Sequence, residues 1–384
     1  MIGADWNAIL PEFLPRLVGA KDLDPYRTEL FALISRLNDG HANLWSVLAT
    51  RPPRGDCQIP VLLRSVEGQA VVTGYTHAEK GPSTGLKVGD VVRALDGAPV
   101  DRLMASWKPY YSASNDVHRT AAMMRAMTQG ACGPVQVVAE RAGAPLEIAT
   151  ERRPNGELDL QAGRTHDLPG AAFRRLSPDV AYLKLSAVKV AEIPDYLRGA
   201  EGTKGWIIDI RNYPSEFVVF ALGGHFVAEP TSFARFTHGD PANPGSFRWT
   251  DPPVELTPIA PHYPGKTVIL VDETSMSSAE YTAMALRAAP NALVVGSTTA
   301  GADGNVSGVP LPGGLMSLIS GIGVFYPDKR PTQRMGIVPH AEVHPTIDGI
   351  REGRDEVLET ALRQILGADT LEERIREIAQ QGSR

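Results

Sequence analysis

Two cysteines, Cys57 and Cys132, stand in a chain of 384 residues. That is too few for a disulfide framework, and too few thiolates for a Cys-rich zinc site. Basic residues are not in excess either: 38 Lys and Arg face 44 Asp and Glu, a net charge of −6. Such a balance gives little support to a nucleic-acid binder, which must neutralise phosphates. No apolar run reaches the roughly 18–20 residues that span a bilayer. The start, MIGADWNAIL, lacks a basic segment followed by an apolar one, so a signal peptide is not expected in the chain as given. Aromatics are sparse at 7%, whereas 37 Gly and 31 Pro imply many turns. With 43% apolar and 21% charged residues, composition is that of an ordinary globular protein. At about 100–200 residues per domain the length allows two or three domains.

Leu14, Leu17, Leu30, Leu33, Ile34 and Leu37 recur at helical spacing, so residues 1–50 read as helical, with Asp22 or Asp24 as a cap and Pro25 in a first turn. Arg51–Gly55 reads as a linker. Residues 57–153 change to short strands. Val91–Leu95 is a buried strand whose hairpin closes at Asp96-Gly97, Val117–Met127 is a helix, and Val135–Glu140 pairs with Leu146–Thr150. Residues 154–168 read as a second linker. Beyond it apolar strands alternate with helices: Val180–Leu185, Gly205–Arg211, helix Phe217–Val227, Lys266–Val271, helix Ser278–Ala289 and Ala292–Gly296. That alternation predicts an α/β layer with both faces covered. Ser317–Tyr326 reads as a late strand, and Asp355–Leu366 as an amphipathic helix stopped at Gly367. Thr370–Glu373 is a capping box for a last helix.

The stretch from Thr267 to Glu280 carries the most chemistry. A buried strand ends, small hydroxyl residues follow, and a helix begins at Ser277 or Ser278. Reactive groups of α/β proteins sit at such strand ends. A helix N-terminus also offers unpaired N–H groups to an oxyanion. The same Ser277 with Glu280 three residues on equally fits a helix cap; the two roles are compatible. A nucleophilic serine needs a base. His41, just past a helix in Leu37-Asn38-Asp39-Gly40-His41, is the candidate, against the plain alternative of a capping histidine.

Five segments, in order, resemble peptidase family S41, the tail-specific and tricorn-like serine proteases. Leu37–His41 resembles its L-x-D-G-H segment. Gly85–Val100 resembles the G-L-x-x-G-D core of a PDZ domain. Asp209-Ile210-Arg211-Asn212 resembles its D-L-R-N strand end. Ser277–Glu280 followed by Val294–Gly304 resembles S-A-x-E and G-x-x-T-x-G. Gly336–Pro339 resembles G-I-x-P. The resemblance spans roughly residues 5–365 and implies an N-terminal helical domain (1–55), a PDZ-like domain (56–153), a crotonase- or ClpP-like α/β catalytic core (165–366) and a C-terminal helix (367–384).

By that resemblance Ser277 is the nucleophile and Ser278 an oxyanion donor. The tail-specific branch uses a lysine base where this chain has Ala302, so no Ser–Lys dyad is available. The tricorn-like branch uses a histidine in the place of His41. A carboxylate before G-I-x-P completes that arrangement, and Gln333 stands in its place; a glutamine can orient an imidazole but carries no charge to stabilise imidazolium. Pro214 has no N–H, so the second oxyanion donor falls to Tyr213 or Ser215. Asp209 and Arg211 read as a structural pair.

His340-Ala341-Glu342-Val343-His344 would share a face on a strand, but Pro339 and Pro345 bracket it, and no metal or other cofactor is expected. The expected activity is that of a serine endopeptidase acting on peptides or unfolded protein C-termini, docked by the PDZ-like domain. The alternatives are a catalytically weak or inactive ligand-binding protein on the same scaffold, and an esterase. Val227–Pro264 reads as a lid or an oligomer contact, with a homo-oligomer allowed. Relatives suggest an exported or periplasmic protein.

Overall fold

The computed structural model describes residues 5–240, 242–243 and 245–382. They divide into two units. One comprises residues 5–163, 306–319 and 346–351; the other comprises the described residues of 164–305, together with 320–345 and 352–382. Among the described residues no helix is long and apolar enough to cross a membrane.

In the first unit, helices Trp6–Gly19 and Leu23–Ser35 lead into a 3-10 segment, Trp45–Thr50. Leu30, Phe31 and Ile34 pack with Ala42, Leu44 and Leu315, the last from the hairpin Val306–Leu311/Leu315–Ser320. The rest is an antiparallel sheet running Val61–Val66, Gln69–Tyr75, Val91–Leu95, Gly133–Arg141, Ala144–Pro154, Cys57–Gln58 and Gln129–Gly130. The expected turn at Asp96-Gly97 is present. Both residues have positive φ, 48° and 77°, as a two-residue hairpin turn requires, and Leu95 pairs with Ala98.

The two cysteines build no framework, yet they do pair: Cys57 and Cys132 form one disulfide, Cα to Cα 5.0 Å. Strand pairing brings this about, because Cys57 lies opposite Gly130. Arg51, expected in a linker, is instead held over the Tyr111 ring, 3.5 Å from its centroid.

In the second unit a six-stranded sheet runs Phe173–Ser177, Val180–Lys184, Gly205–Asp209, Lys266–Val271, Ala292–Gly296 and Ala341–Glu342. All neighbours are parallel except the first pair. Alternate residues serve opposite faces. Trp206, Ile208, Ile269 and Val271 pack with helix Ser278–Arg287 and its neighbours. Ile207, Val268 and Leu270 pack with helices Glu356–Leu366 and Glu372–Gly382. The expected α/β layer with both faces covered is therefore present, and the chain is a mixed α/β protein.

Local departures have physical reasons. The helix expected over Phe217–Val227 shrinks to Val219–Gly223 and one 3-10 turn, Gly224–Phe226. A Cβ on Gly224 would lie 2.6 Å from the Thr257 carbonyl oxygen, so this close crossing tolerates only glycine. The late strand divides at Gly321 into Leu315–Ser320 and Ile322–Phe325; residues 315–319 fall in the first unit and Ser320 with residues 322–325 in the second. Segment 154–168 is docked rather than free: the His166 N–H donates to the Arg211 carbonyl at 2.8 Å, and the Leu168 N–H to the Tyr182 hydroxyl at 2.9 Å. The expected lid, Val227–Pro264, contains strands Thr231–Gly239, Phe247–Trp249 and Val254–Leu256, the first also pairing with Ile322–Phe325. Positions 241 and 244 of that segment lie outside the described residues.

Candidate active site

Strand Lys266–Val271 delivers its last residues to a tight turn, and helix Ser278–Arg287 leaves it. Ser277 sits between them with φ 56° and ψ −116°, a backbone conformation that L-residues rarely adopt. Such strain persists only where the surroundings hold it, and it concentrates at functional sites. Here the hold is visible. Glu280 accepts the Ser277 N–H at 3.2 Å, the Gly301 N–H at 2.7 Å, the Ala302 N–H at 2.9 Å and the Thr299 hydroxyl. One carboxylate thus ties the helix start to the loop 299–302. Tyr281 N–H donates to the Ser277 carbonyl at 3.0 Å, which begins the helix ladder. Ser278 is the first helical residue, so its N–H has no acceptor within the helix.

Glu280 is fully buried, and that burial pushes its carboxyl up to about 7 against the pull of its four donors. Asp303 is buried beside it. Desolvation first, and the Glu280 charge second, raise Asp303 well above the ordinary carboxylate range. Asp303 takes the Gly304 N–H at 2.7 Å through Oδ1. Among the described residues its Oδ2 has no hydrogen-bond partner. Glu280 has four donors and Asp303 one, so the shared proton rests on Asp303.

The strand end Asp209–Asn212 is organised by charge. Arg211 is buried and donates to Asp209 at 3.0 and 2.6 Å and to Asp355, the cap of helix Glu356–Leu366, at 2.8 Å twice. Tyr182 adds its hydroxyl to Asp209 at 3.0 Å. The structural pairing expected of Asp209 and Arg211 is present and extends to a third and a fourth residue. Past it, Ser215 spends its N–H on the Leu185 carbonyl at 2.9 Å, and Pro214 has none. Tyr213 is exposed, and among the described residues its N–H has no backbone acceptor.

Gln333 donates both hydrogens of its side-chain amide within the same unit, to the Asp303 and Ile322 carbonyls at 2.8 Å each. The Thr332–Ile337 segment also meets the 299–302 loop: Arg334 N–H donates to the Gly301 carbonyl at 2.7 Å, and Ile337 N–H to the Thr299 hydroxyl at 2.7 Å. Ser277, Ser278, Tyr213 and Gln333 all belong to the second unit.

His41 belongs to the first. It is buried, its N–H donates to Asp39 Oδ1 at 3.0 Å, and its carbonyl accepts the Trp45 indole N–H at 2.9 Å. Nδ1 lies 3.8 Å from the same Asp39 oxygen. Burial lowers the imidazole below its usual value, and Asp39 opposes that shift. The imidazole is therefore neutral at neutral pH, as a proton acceptor must be.

The His340–His344 segment does not converge on one point. His340 Nδ1 accepts the Val294 N–H at 2.9 Å, while His344 pairs with Glu342 at 3.0 Å in the open. A different trio brings one donor atom each within 4.8 Å: His166, Asp272 and Glu273. His166 Nδ1 meets Asp272 Oδ2 at 2.5 Å, and Asp272 Oδ1 takes the Thr274 N–H and hydroxyl, so this contact straps segment 164–168 to the strand end. Sequence reasoning passed over His166 because it lies in a stretch of linker composition, 106 residues from its partner.

Residues 179–343 match the model of peptidase family S41. No curated protein matches the chain. Among solved structures, mature CPAF is similar at 16% identity and TM-score 0.73, over 96% of this chain and 93% of that one. Mature CPAF complexed with lactacystin is similar at 15% identity and TM-score 0.72, over 95% and 94%. A peptidase from Parabacteroides merdae described as putative is similar at 17% identity and TM-score 0.56, over 96% and 92%. At these identities the likeness is one of fold.

Proposed function

Because residues 179–343 make this chain a serine-type peptidase of family S41, we propose that Ser277 is its nucleophile and His41 its general base. The observation that carries the reading is the strained turn at Ser277, φ 56°, gripped by Glu280 at a strand-to-helix junction. A sharp, strained turn presents a serine hydroxyl outward, as in other serine hydrolases. His41 Nε2 takes the proton as Oγ attacks the peptide carbonyl. The oxyanion is met by the N–H groups of Ser278 and Tyr213. His41 then protonates the leaving amine, and water, deprotonated in turn, releases the acyl group.

His41 and Ser277 belong to different units, and their pairing rests on the sequence resemblance. Within its own unit, the neutral buried imidazole beside Asp39 supports the role. Asp39 offers imidazolium the charge that Gln333 lacks, and Gln333 serves to hold the Asp303 and Ile322 carbonyls.

Peptides and unfolded protein ends are the proposed substrates, docked on the antiparallel sheet of the first unit acting as a PDZ-like domain. Val61–Val66 is the terminal strand of that sheet, and helix Asp116–Ala126 packs along it. An edge strand beside a helix suits strand addition by an extended peptide.

A fluorophosphonate probe with peptide mapping tests the reading. A single adduct on Ser277, lost in Ser277→Ala and His41→Ala, is expected. An adduct surviving His41→Ala rejects that base. No adduct, with or without a candidate peptide, favours a ligand-binding protein on the same scaffold.

A further inference from the structure

Five aromatic side chains gather one helical turn from Ser277. Tyr281, four residues on and on the same helix face, is their hub. Phe217 stacks on it at 6.2 Å between ring centroids with planes 16° apart. Phe233 lies at 5.1 Å and Phe236 at 5.8 Å. Phe220 closes the ring, 6.1 Å from Phe217 and 6.0 Å from Phe233.

Burial across this group is graded. Phe233 is 1% exposed and forms a floor, whereas Phe217 and Phe220 keep 57% and 43% of their surface in water. A lone exposed apolar side chain needs no explanation, but a contiguous aromatic face marks a contact surface. Its place in the chain names the contact. Phe217 follows Tyr213 by four residues on one loop, and Tyr281 follows Ser277 by four on the other segment. On each of the two segments the face thus begins four residues past a residue of the proposed site, the oxyanion donor on one and the nucleophile on the other.

We propose that Phe217, Phe220 and Tyr281 form a subsite for a large apolar side chain of the substrate, flanking the scissile bond. The inference rests on Ser277 being the nucleophile. Rings presented in this way accept a further ring at 4.5–7 Å, edge-on or offset, or a branched aliphatic chain. They offer an alanine or an aspartate little contact area. The peptidase thus selects Phe, Tyr, Leu or Met beside the cut, and an unfolded segment exposes such residues where a folded domain buries them.

Two peptidyl diphenyl phosphonates, identical except for a Phe-like or an Ala-like group next to phosphorus, test the subsite. Ser277 Oγ bonds to phosphorus as phenoxide leaves, and intact mass reads the rate. The Phe-like probe is expected to react at least about tenfold faster, within the range that apolar pockets discriminate. In Phe217→Ser/Phe220→Ser the ratio falls toward one, and in Phe217→Leu it is largely kept. A wild-type ratio near one, or a ratio the double variant does not move, overturns the proposal. If neither these probes nor a fluorophosphonate modifies Ser277, the nucleophile assignment fails. Binding of tripeptide amides ending in Phe or Ala, titrated by NMR, then judges the subsite alone, and equal affinities reject it. A concentration-dependent dimer in sedimentation, lost in the double variant, would give the face to a second copy and likewise reject it.

Discussion

Asp209, closing the Gly205–Asp209 strand, and Glu280, in the first turn of the helix that follows the neighbouring strand, are both fully buried carboxylates of one unit. Their surroundings differ. Asp209 faces a buried guanidinium that also binds Asp355, so charge meets charge and the strand end is locked to a helix cap. Glu280 has neutral donors only, with a second buried carboxyl, Asp303, beside it. The first arrangement is built for permanence. The second is held at the edge of ionisation next to the strained serine, and perturbed carboxyls of that kind cluster where chemistry is done.

The sharpest test of that contrast is at the strained serine. With Ser277 as the proposed nucleophile, Ser277→Ala is expected to lower peptide hydrolysis by at least about a thousandfold with little change in stability, since losing a nucleophile removes most of the rate. Intact folding by circular dichroism beside lost turnover checks it. Arg211→Met should do the reverse and act on folding, costing about 3–5 kcal/mol in denaturant unfolding because Asp209 and Asp355 are left without their cation. A loss below about 1 kcal/mol would break the comparison, for then the ion network is no lock.

Asp303→Asn probes the other carboxylate site. Glu280 has its folded value near 7, above the ordinary carboxylate, and Asp303 is raised too. Between the unfolded and folded values the folded state binds more protons. Stability is therefore highest in acid and falls as pH rises from about 4.5 through 7. The variant should flatten that slope and gain on the order of 1 kcal/mol at pH 8. Unfolding curves at pH 5, 6, 7 and 8 measure it. Stability that instead rises over that interval would show the pair ionised without cost. An effect of similar size belongs to Tyr182→Phe, which removes one of the bonds to Asp209 and the acceptor of the Leu168 N–H and should cost about 1–1.5 kcal/mol in the same unfolding curves.

Much of this was legible in the chain. Apolar runs at Gly205–Asp209 and Lys266–Val271 announced buried parallel strands, and Asp96-Gly97 announced its turn, because period and local backbone demands are written in neighbouring residues. The strand–hydroxyl–helix pattern at Thr267–Glu280 singled out Ser277 for the same reason. Asp303 was not legible: nothing local says that a polar residue in a glycine loop ends fully buried against Glu280. Nor was the His166–Asp272 contact, in a stretch whose composition is that of a linker. Phe217 and Phe220 read as members of one helix, Phe217–Val227, whereas the helix begins only at Val219 and Phe217 lies ahead of it.

The order of strands and helices, the strand-to-helix serine and the S41 motifs were thus determined by the sequence alone, through propensities and spacings that act over a few residues. Tertiary structure decided the rest: the Cys57–Cys132 bridge, the assignment of residues 306–319 and 346–351 to the first unit, the carboxylate pair under Ser277 and the aromatic face beside it. Each depends on contacts between distant segments, whose burial and electrostatics exist only once the chain has closed on itself.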